Sequence, residues 1–440
     1  MGLRQGENLS PVLFSIFLND LQIALNDDGV HGIELKDPYD QTEWLKLALL
    51  LYADDTIIFS DSPLDFQKCL DSFHRYCEDF KLVVNLSKTK VMIFGARKFE
   101  HRFTLGNSSL EIVQSYKYLG VTFSSNGSFL NARKHVASQA RKAMASLLQN
   151  ISRLNLSVDL SLKVFDSTVM PVLLYGSEIF GFENTEILDR VYHDFMRIIT
   201  QARKSTPLYM LFGELGRYPL LINIKYKIIS FWLKIVTGKQ QKISFILYRY
   251  MLTCNPNMFP WLKYVERILN ECGKSDIWIN QMQLGNIAYN KQIKHILISQ
   301  FKQHWFGDLL SNNKSLIYRS IKPDFGIEEY FKKVNKRASL IMFSFRTANH
   351  KLPIETGRWD GTQVNDRICS LCVLNAVGSE RHYLFDCPYF HQERTQLIGY
   401  ITANNNNQNI LFKNVMCSSS YDDLYCIIKF IEIIQNTFER

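Results

Sequence analysis

Cysteine is scarce here: nine residues in a chain of 440, too few for a disulfide-stapled scaffold. Long apolar runs are missing too, so no segment reads as a membrane span. The first residues lack the charged, apolar and small-residue pattern of a secretory signal. No internal repeat is visible, which excludes solenoids and propellers of fixed period. An acidic excess is also absent. Lysine and arginine number 51 against 42 aspartates and glutamates, for a net charge of +9 and a pI near 8.9, a balance that favours a polyanionic partner. With 46% hydrophobic and 21% charged residues, the composition is globular, not disordered. The expectation is a soluble protein of a reducing, intracellular compartment with no membrane partner.

A mass of 51.3 kDa leaves room for two or three hydrophobic cores. Aromatic residues, at 13%, can fill them and leave some for base stacking. Ser10 and Pro11 read as the cap and first turn of a helix, with Leu13, Phe17, Leu21 and Ala24 at helical spacing. Residues 27–43, with Gly29, Gly32 and Pro38, read as a polar, turn-rich connection. Residues 47–59 read as two short apolar strands joined through Tyr52-Ala53-Asp54-Asp55, and Phe66, Leu70, Phe73, Cys77 and Phe80 mark an amphipathic helix. Further strands are expected at 91–94, near Phe103 and at 118–123. Beyond Ser125 the pattern is helical almost throughout. Ala132, Val136, Ala140, Ala143 and Leu147 form one stripe, with Arg133, Lys134, Arg141 and Lys142 on the other side. Trp232, Trp261, Trp278 and Trp305 read as core. Residues 356–390 are loop-rich, 404–407 form a polar linker, and an apolar helix follows near 425–434.

Two constellations carry chemistry. Polynucleotide synthesis uses two divalent ions about 3.5–4 Å apart, held by carboxylates at the ends of rigid strands. Asp54 and Asp55 at a hairpin tip supply part of such a cage. Asp27-Asp28 and Asp422-Asp423 are also pairs, but in polar surroundings. The flanks Leu49-Leu50-Leu51 and Ile57-Ile58-Phe59 set Asp54-Asp55 apart, because buried strands do not tolerate idle charge. The second constellation is Cys369-x2-Cys372-x9-His382-x4-Cys387, close to the Cys₃His pattern of structural zinc sites. His391 is a spare donor that could replace His382. Four protein ligands leave no open position for water, so the role would be structural. The remaining thiols, Cys69, Cys77, Cys254, Cys272, Cys417 and Cys426, read as core residues.

Tyr52-Ala53-Asp54-Asp55 has the form of the metal-binding box, motif C, of reverse transcriptases. Arg4-Gln5-Gly6 with Leu9-Ser10-Pro11 and Leu13-Phe14 resembles motif B. Val84-Asn85-Leu86-Ser87-Lys88-Thr89-Lys90 with Met92 and Phe94-Gly95 resembles motif D, and Tyr118-Leu119-Gly120-Val121 the primer-grip hairpin, motif E. Leu173-Leu174-Tyr175-Gly176-Ser177-Glu178 and Gly213-Glu214-Leu215-Gly216-Arg217-Tyr218-Pro219 look like thumb and post-thumb segments of LINE-type (non-LTR) elements, which carry a similar C-terminal knuckle with the histidine at the place of His382. The resemblance implies RNA-directed DNA synthesis on an RNA template and a DNA primer or target. Asp54 would bind catalytic Mg2+, with Asp55 a weaker participant; Arg4, Gln5 and Gly6 would lie against template and nucleotide. Lys88, with Lys90 as its rival, would protonate the departing pyrophosphate. Arg133, Lys134, Arg141 and Lys142 would track phosphates along the thumb helix, and Zn2+ would sit in the knuckle. A nuclear location follows by analogy.

The family also uses an aspartate from a palm strand preceding motif B (motif A). The sequence starts inside motif B, and Asp20, far along that helix, cannot replace it. The expectation is an α+β fold. A truncated palm (1–125) precedes a helical thumb and post-thumb (126–240) and a helical connection (241–360), then a zinc knuckle (361–395) and a C-terminal helix (396–440). This fragment is expected to be inactive alone, as a piece of a complete element or as the product of a decayed copy. The alternative is a non-catalytic nucleic-acid-binding remnant that uses the basic helix and the knuckle.

Overall fold

The computed structural model describes residues 9–30, 32–37, 39, 43–95, 101–284, 289–311, 316–402 and 408–439. Two compact units emerge, each drawn from two stretches of chain: 1–132 with 228–287, and 133–227 with 288–440. The fold is mixed, with many helices and only short strands. No helix among the described residues is long and apolar enough to cross a membrane. The expected linker at 404–407 lies outside the described residues.

In the first unit, α1 (Ser10–Phe17) and α2 (Leu21–Asp27) are separate helices. Ser10 is the first helical residue, not the cap, and Pro11 sits in the first turn, where a missing N–H goes unnoticed. The break at 18–20 changes which face is buried. Leu13 and Phe17 are 49% and 43% exposed, while Leu18, Leu21 and Leu25 are buried. The stripe expected from spacing assumed one continuous helix. The stretch expected as a connection instead holds β1 (Ile33–Lys36), antiparallel to β2 (Glu43–Leu47).

Then β3 (Leu49–Tyr52) and β4 (Asp55–Ile58) form the expected hairpin, with Leu49 opposite Ile58 and Tyr52 opposite Asp55. Ser62 caps α3 (Pro63–Asp79), accepting the Asp65 N–H at 3.1 Å. One side of α3 places Cys69 and Tyr76 against Leu21, Leu25 and Leu49. Its other side places Leu70 against Val91, Phe103 and Leu105, and Phe73 and Ile58 touch both clusters. β5 (Lys90–Val91), β6 (Thr104–Leu105), β7 (Ser108–Ser109) and β8 (Glu111–Ile112) are two-residue strands; β5 runs parallel to β8, and β6 pairs with β7. β9 (Ser115–Tyr118) and β10 (Val121–Ser124) make a second tight hairpin. The described strands form five two-stranded ladders. The unit's later helices bury Trp232, whose indole N–H donates to Tyr248 at 2.8 Å.

The second unit is helical. Along α4 (Leu130–Arg153), Val136, Ala140, Met144 and Leu147 are buried; Met144, not Ala143, completes the stripe. The Gly213–Pro219 segment explains itself through packing. Glu214 and Arg346 are wholly buried and paired twice at 3.0 Å; Tyr330 also donates to Glu214, and Arg346 reaches Glu328 at 3.1 Å. Burial alone would raise the Glu214 carboxyl, but Arg346 and Lys322 outweigh it and hold it below the usual range. Gly216 ends the helix Leu208–Leu215 at φ +61°, and a Cβ there would stand 2.4 Å from the Ile327 nitrogen. Among the scattered thiols, Cys69, Cys77 and Cys272 are core residues, while Cys417 is exposed beside the Ile321 carbonyl.

Candidate catalytic hairpin and metal centre

Asp54 and Asp55 stand exposed at the tip of the β3–β4 hairpin. Leu49 anchors the hairpin in the core, so the tip projects from a fixed base. Ala53 takes φ +52°, a left-handed conformation uncommon for a residue with a Cβ and costing about 1–3 kcal/mol. A cavity of about 170 Å³ opens beside it, lined by Leu18, Asn19, Gln22, Leu51 and Ala53. The turn between α1 and α2 therefore meets the hairpin at its tip.

On the second hairpin, burial and then the charge of Asp55 raise the Tyr118 hydroxyl above its usual range. Tyr116, two residues back on the same face of β9, donates its hydroxyl to the Lys88 carbonyl at 3.0 Å. Asn85 shapes the Lys88 loop by accepting the Ser87 hydroxyl at 2.7 Å. Lys88 is exposed, while Lys90 is tied to Glu111 at 2.7 Å, so an ion pair already holds the rival lysine. Asp20 accepts the Tyr76 hydroxyl at 2.7 Å. Arg4, Gln5 and Gly6 lie outside the described residues.

On α4, Lys134, Arg141 and Lys142 are exposed on one face. Arg133 is not. It is buried, paired with Glu183 and donating to the Asn184 carbonyl. Its place one position after Ala132 turns it inward, where a carboxylate and a carbonyl meet it. Arg141 reaches Asp194 at 3.2 Å.

Cys369, Cys372, His382 and Cys387 bring one donor atom each to within 4.8 Å of one another. The Cys369–Cys387 sulphurs are 3.9 Å apart, and Cys372 Sγ lies 3.5 Å from His382 Nε2. Tetrahedral zinc with sulphurs at about 2.3 Å separates them by about 3.8 Å, so the donor set fits that ion. His382 takes the fourth place; His391 is exposed at the start of the following helix. The backbone builds the site locally. Ile368 bridges Val377, Cys369 N–H bonds the Ala376 carbonyl at 2.8 Å, and Leu371 N–H points at Cys369 Sγ at 3.4 Å.

Three supports were not readable from spacing. The buried Tyr383 hydroxyl makes no hydrogen bond among the described residues, and its ring lies 5.2 Å from the His382 ring. Burial would raise the Cys369 thiol, but Tyr383 and Leu371 N–H hold it below its usual range, while burial pushes Cys387 up to about 12. Gly378 makes room for that hydroxyl, since a Cβ would stand 2.7 Å from it. Arg394 donates to the Leu384 and Cys387 carbonyls at 2.7 Å each, bracing the ligand turn. His350 accepts the Leu352 N–H at Nδ1, so its Nε2 carries the proton and donates to buried Glu380 at 3.0 Å.

The chain thus carries an exposed carboxylate pair at a hairpin tip and a thiol–imidazole donor cluster, and comparison with known proteins gives them a context. Residues 1–123 match the family model of reverse transcriptase (RNA-dependent DNA polymerase). The chain is 24% identical over 225 residues to the RNA-directed DNA polymerase from mobile element jockey of Drosophila melanogaster, covering 49% of this chain and 23% of the relative. It is 27% identical over 184 residues to the Pol polyprotein from type-1 retrotransposable element R2 of Popillia japonica, covering 40% of this chain and 28% of the relative. A transposon-derived protein of Caenorhabditis elegans is 28% identical over 151 residues, 33% of this chain and 52% of the relative. Over these stretches the chain is similar to reverse transcriptases of mobile elements, and the matches span about a quarter of the two polymerase relatives' length.

Proposed function

We propose that the chain is part of an RNA-directed DNA polymerase of a non-LTR retrotransposon and that residues 1–440 alone do not extend a primer. The observation that carries the reading is the Asp54-Asp55 hairpin tip, strained at Ala53, inside the stretch that matches reverse transcriptases. Residues 1–125 would serve as palm, 126–240 as thumb and 241–360 as connection. Magnesium at the hairpin would stabilise charge on the attacking and leaving oxygens. Asp54 would be its main ligand and Asp55 a weaker one; Lys88 would protonate pyrophosphate; Arg4, Gln5 and Gly6 would meet template and nucleotide. Among the described residues no further carboxylate joins Asp54 and Asp55 in a metal-binding group, and the two-metal cage needs one. The test is magnesium-dependent extension of a DNA primer on an RNA template. No extension is expected; extension abolished by Asp54→Ala would overturn the claim of inactivity and establish the site.

The exposed face of Lys134, Arg141 and Lys142 favours a second reading, a non-catalytic binder of RNA and DNA. A gel shift across a salt series, with Cys369→Ser as control, examines it. Binding without a salt slope, or no binding, would remove it.

A further inference from the structure

Trp359 ends the helix Pro353–Trp359 and is 58% exposed, whereas Trp232 and Trp305 are buried in the cores. It is not an idle surface residue. The Arg203 guanidinium lies 5.0 Å from the Trp359 ring centre, and Arg203 is itself held by the His350 carbonyl at 3.4 Å. Arg197 braces the same loop, donating to the Arg203 carbonyl at 2.5 Å and the Thr206 carbonyl at 2.9 Å. A cation fixed over an indole leaves a large aromatic surface presented in one orientation. The sequence neighbours add charge. Lys204 follows Arg203, Lys351 follows His350, and Arg358 precedes Trp359, all three exposed. Asp360 is exposed beside them, and Glu355 takes Arg358 at 3.2 Å. Cations still outnumber carboxylates.

We propose that Trp359 and Arg203 form a stacking platform for an unpaired base of single-stranded nucleic acid, with Lys204 and Lys351 meeting the flanking phosphates. A planar neutral base matches the free indole surface, and the backbone matches the charge; a duplex would not offer its base faces. The proposal rests on the reading of the chain as a nucleic-acid protein, but it assigns a contact to residues other than those of the hairpin and of α4.

The test is fluorescence anisotropy of labelled oligouridylate and oligodeoxythymidylate with the full chain across a salt series. Trp359→Ala should weaken binding about tenfold, the loss of one stacked base, at every salt concentration and with little change of slope. Trp359→Tyr should keep most of the affinity, because it keeps a ring. The Lys204→Ala, Lys351→Ala double variant should instead flatten the salt slope. Unchanged melting temperature and circular dichroism exclude misfolding for these exposed positions. Wild-type binding with Trp359→Ala unaffected would overturn the platform alone. No binding by the wild-type chain would overturn the platform and the nucleic-acid reading together.

Discussion

The two candidate metal centres differ in how completely the chain builds them. At the β3–β4 tip two carboxylates face solvent, and the described residues add no third donor of that kind. At Cys369, Cys372, His382 and Cys387 four donors converge; three of the residues are buried, and further side chains brace the site from behind. A closed structural site must satisfy its ion from the local chain, because nothing else will reach it. A catalytic site must stay open, so its donors can come from distant stretches of sequence.

The sharpest way to break this contrast is to remove a ligand from the closed site. Cys387→Ser should abolish retained zinc and expose residues 361–395 to proteolysis, since structural zinc contributes about 10–16 kcal/mol to small sites of this kind. Retained zinc with unchanged proteolysis would show that the four donors are not a metal centre. The next effect belongs to the buried ion network of the same unit. Arg346→Met leaves Glu214 charged and unpaired, which should cost about 3–5 kcal/mol in urea unfolding, and adding Glu214→Leu should recover most of it. The network also sets a pH response. The Glu214 carboxyl is held below its ordinary 4.5, so its stabilisation is complete above that value and is lost as pH falls through the lower folded value. The double variant should lack this acid step.

Smaller effects sharpen the comparison. Tyr383→Phe removes the buried hydroxyl next to the ligand His382 and should weaken zinc about 10–100-fold, with a shifted sulphur-to-metal absorption band in the cobalt form. An unchanged band would make Tyr383 a packing residue only. At the open site, Ala53→Gly relieves a left-handed alanine and should stabilise the first unit by about 0.5–1 kcal/mol. Destabilisation would mean that the alanine methyl packs more than its backbone strains.

Local rules made much of this legible. Apolar flanks around Asp54-Asp55 gave away the hairpin, period-four hydrophobics the helix Pro63–Asp79, and short Cys/His spacings the four-donor cluster. What escaped depends on partners far along the chain. Arg133 looked solvent-facing because its partner Glu183 is 50 residues away, and Glu214 meets Arg346 across 132 residues. The missed strand Ile33–Lys36 needs Glu43–Leu47 to exist at all. Leu13, Phe17, Leu21 and Ala24 have the spacing of one helix, which a break at 18–20 divides. Tyr383, Arg394 and Trp359 carry no periodic signal, since their roles come from what stands opposite them.

The central claim is that one centre is built and the other is not. Metal counting on the purified chain, dialysed with zinc and then titrated with manganese followed by electron paramagnetic resonance, tests it directly. One tightly held zinc per chain, lost in Cys387→Ser, with no tightly bound manganese, is the expected result. Two manganese ions bound tightly by the 440-residue chain and lost in Asp54→Ala would contradict it.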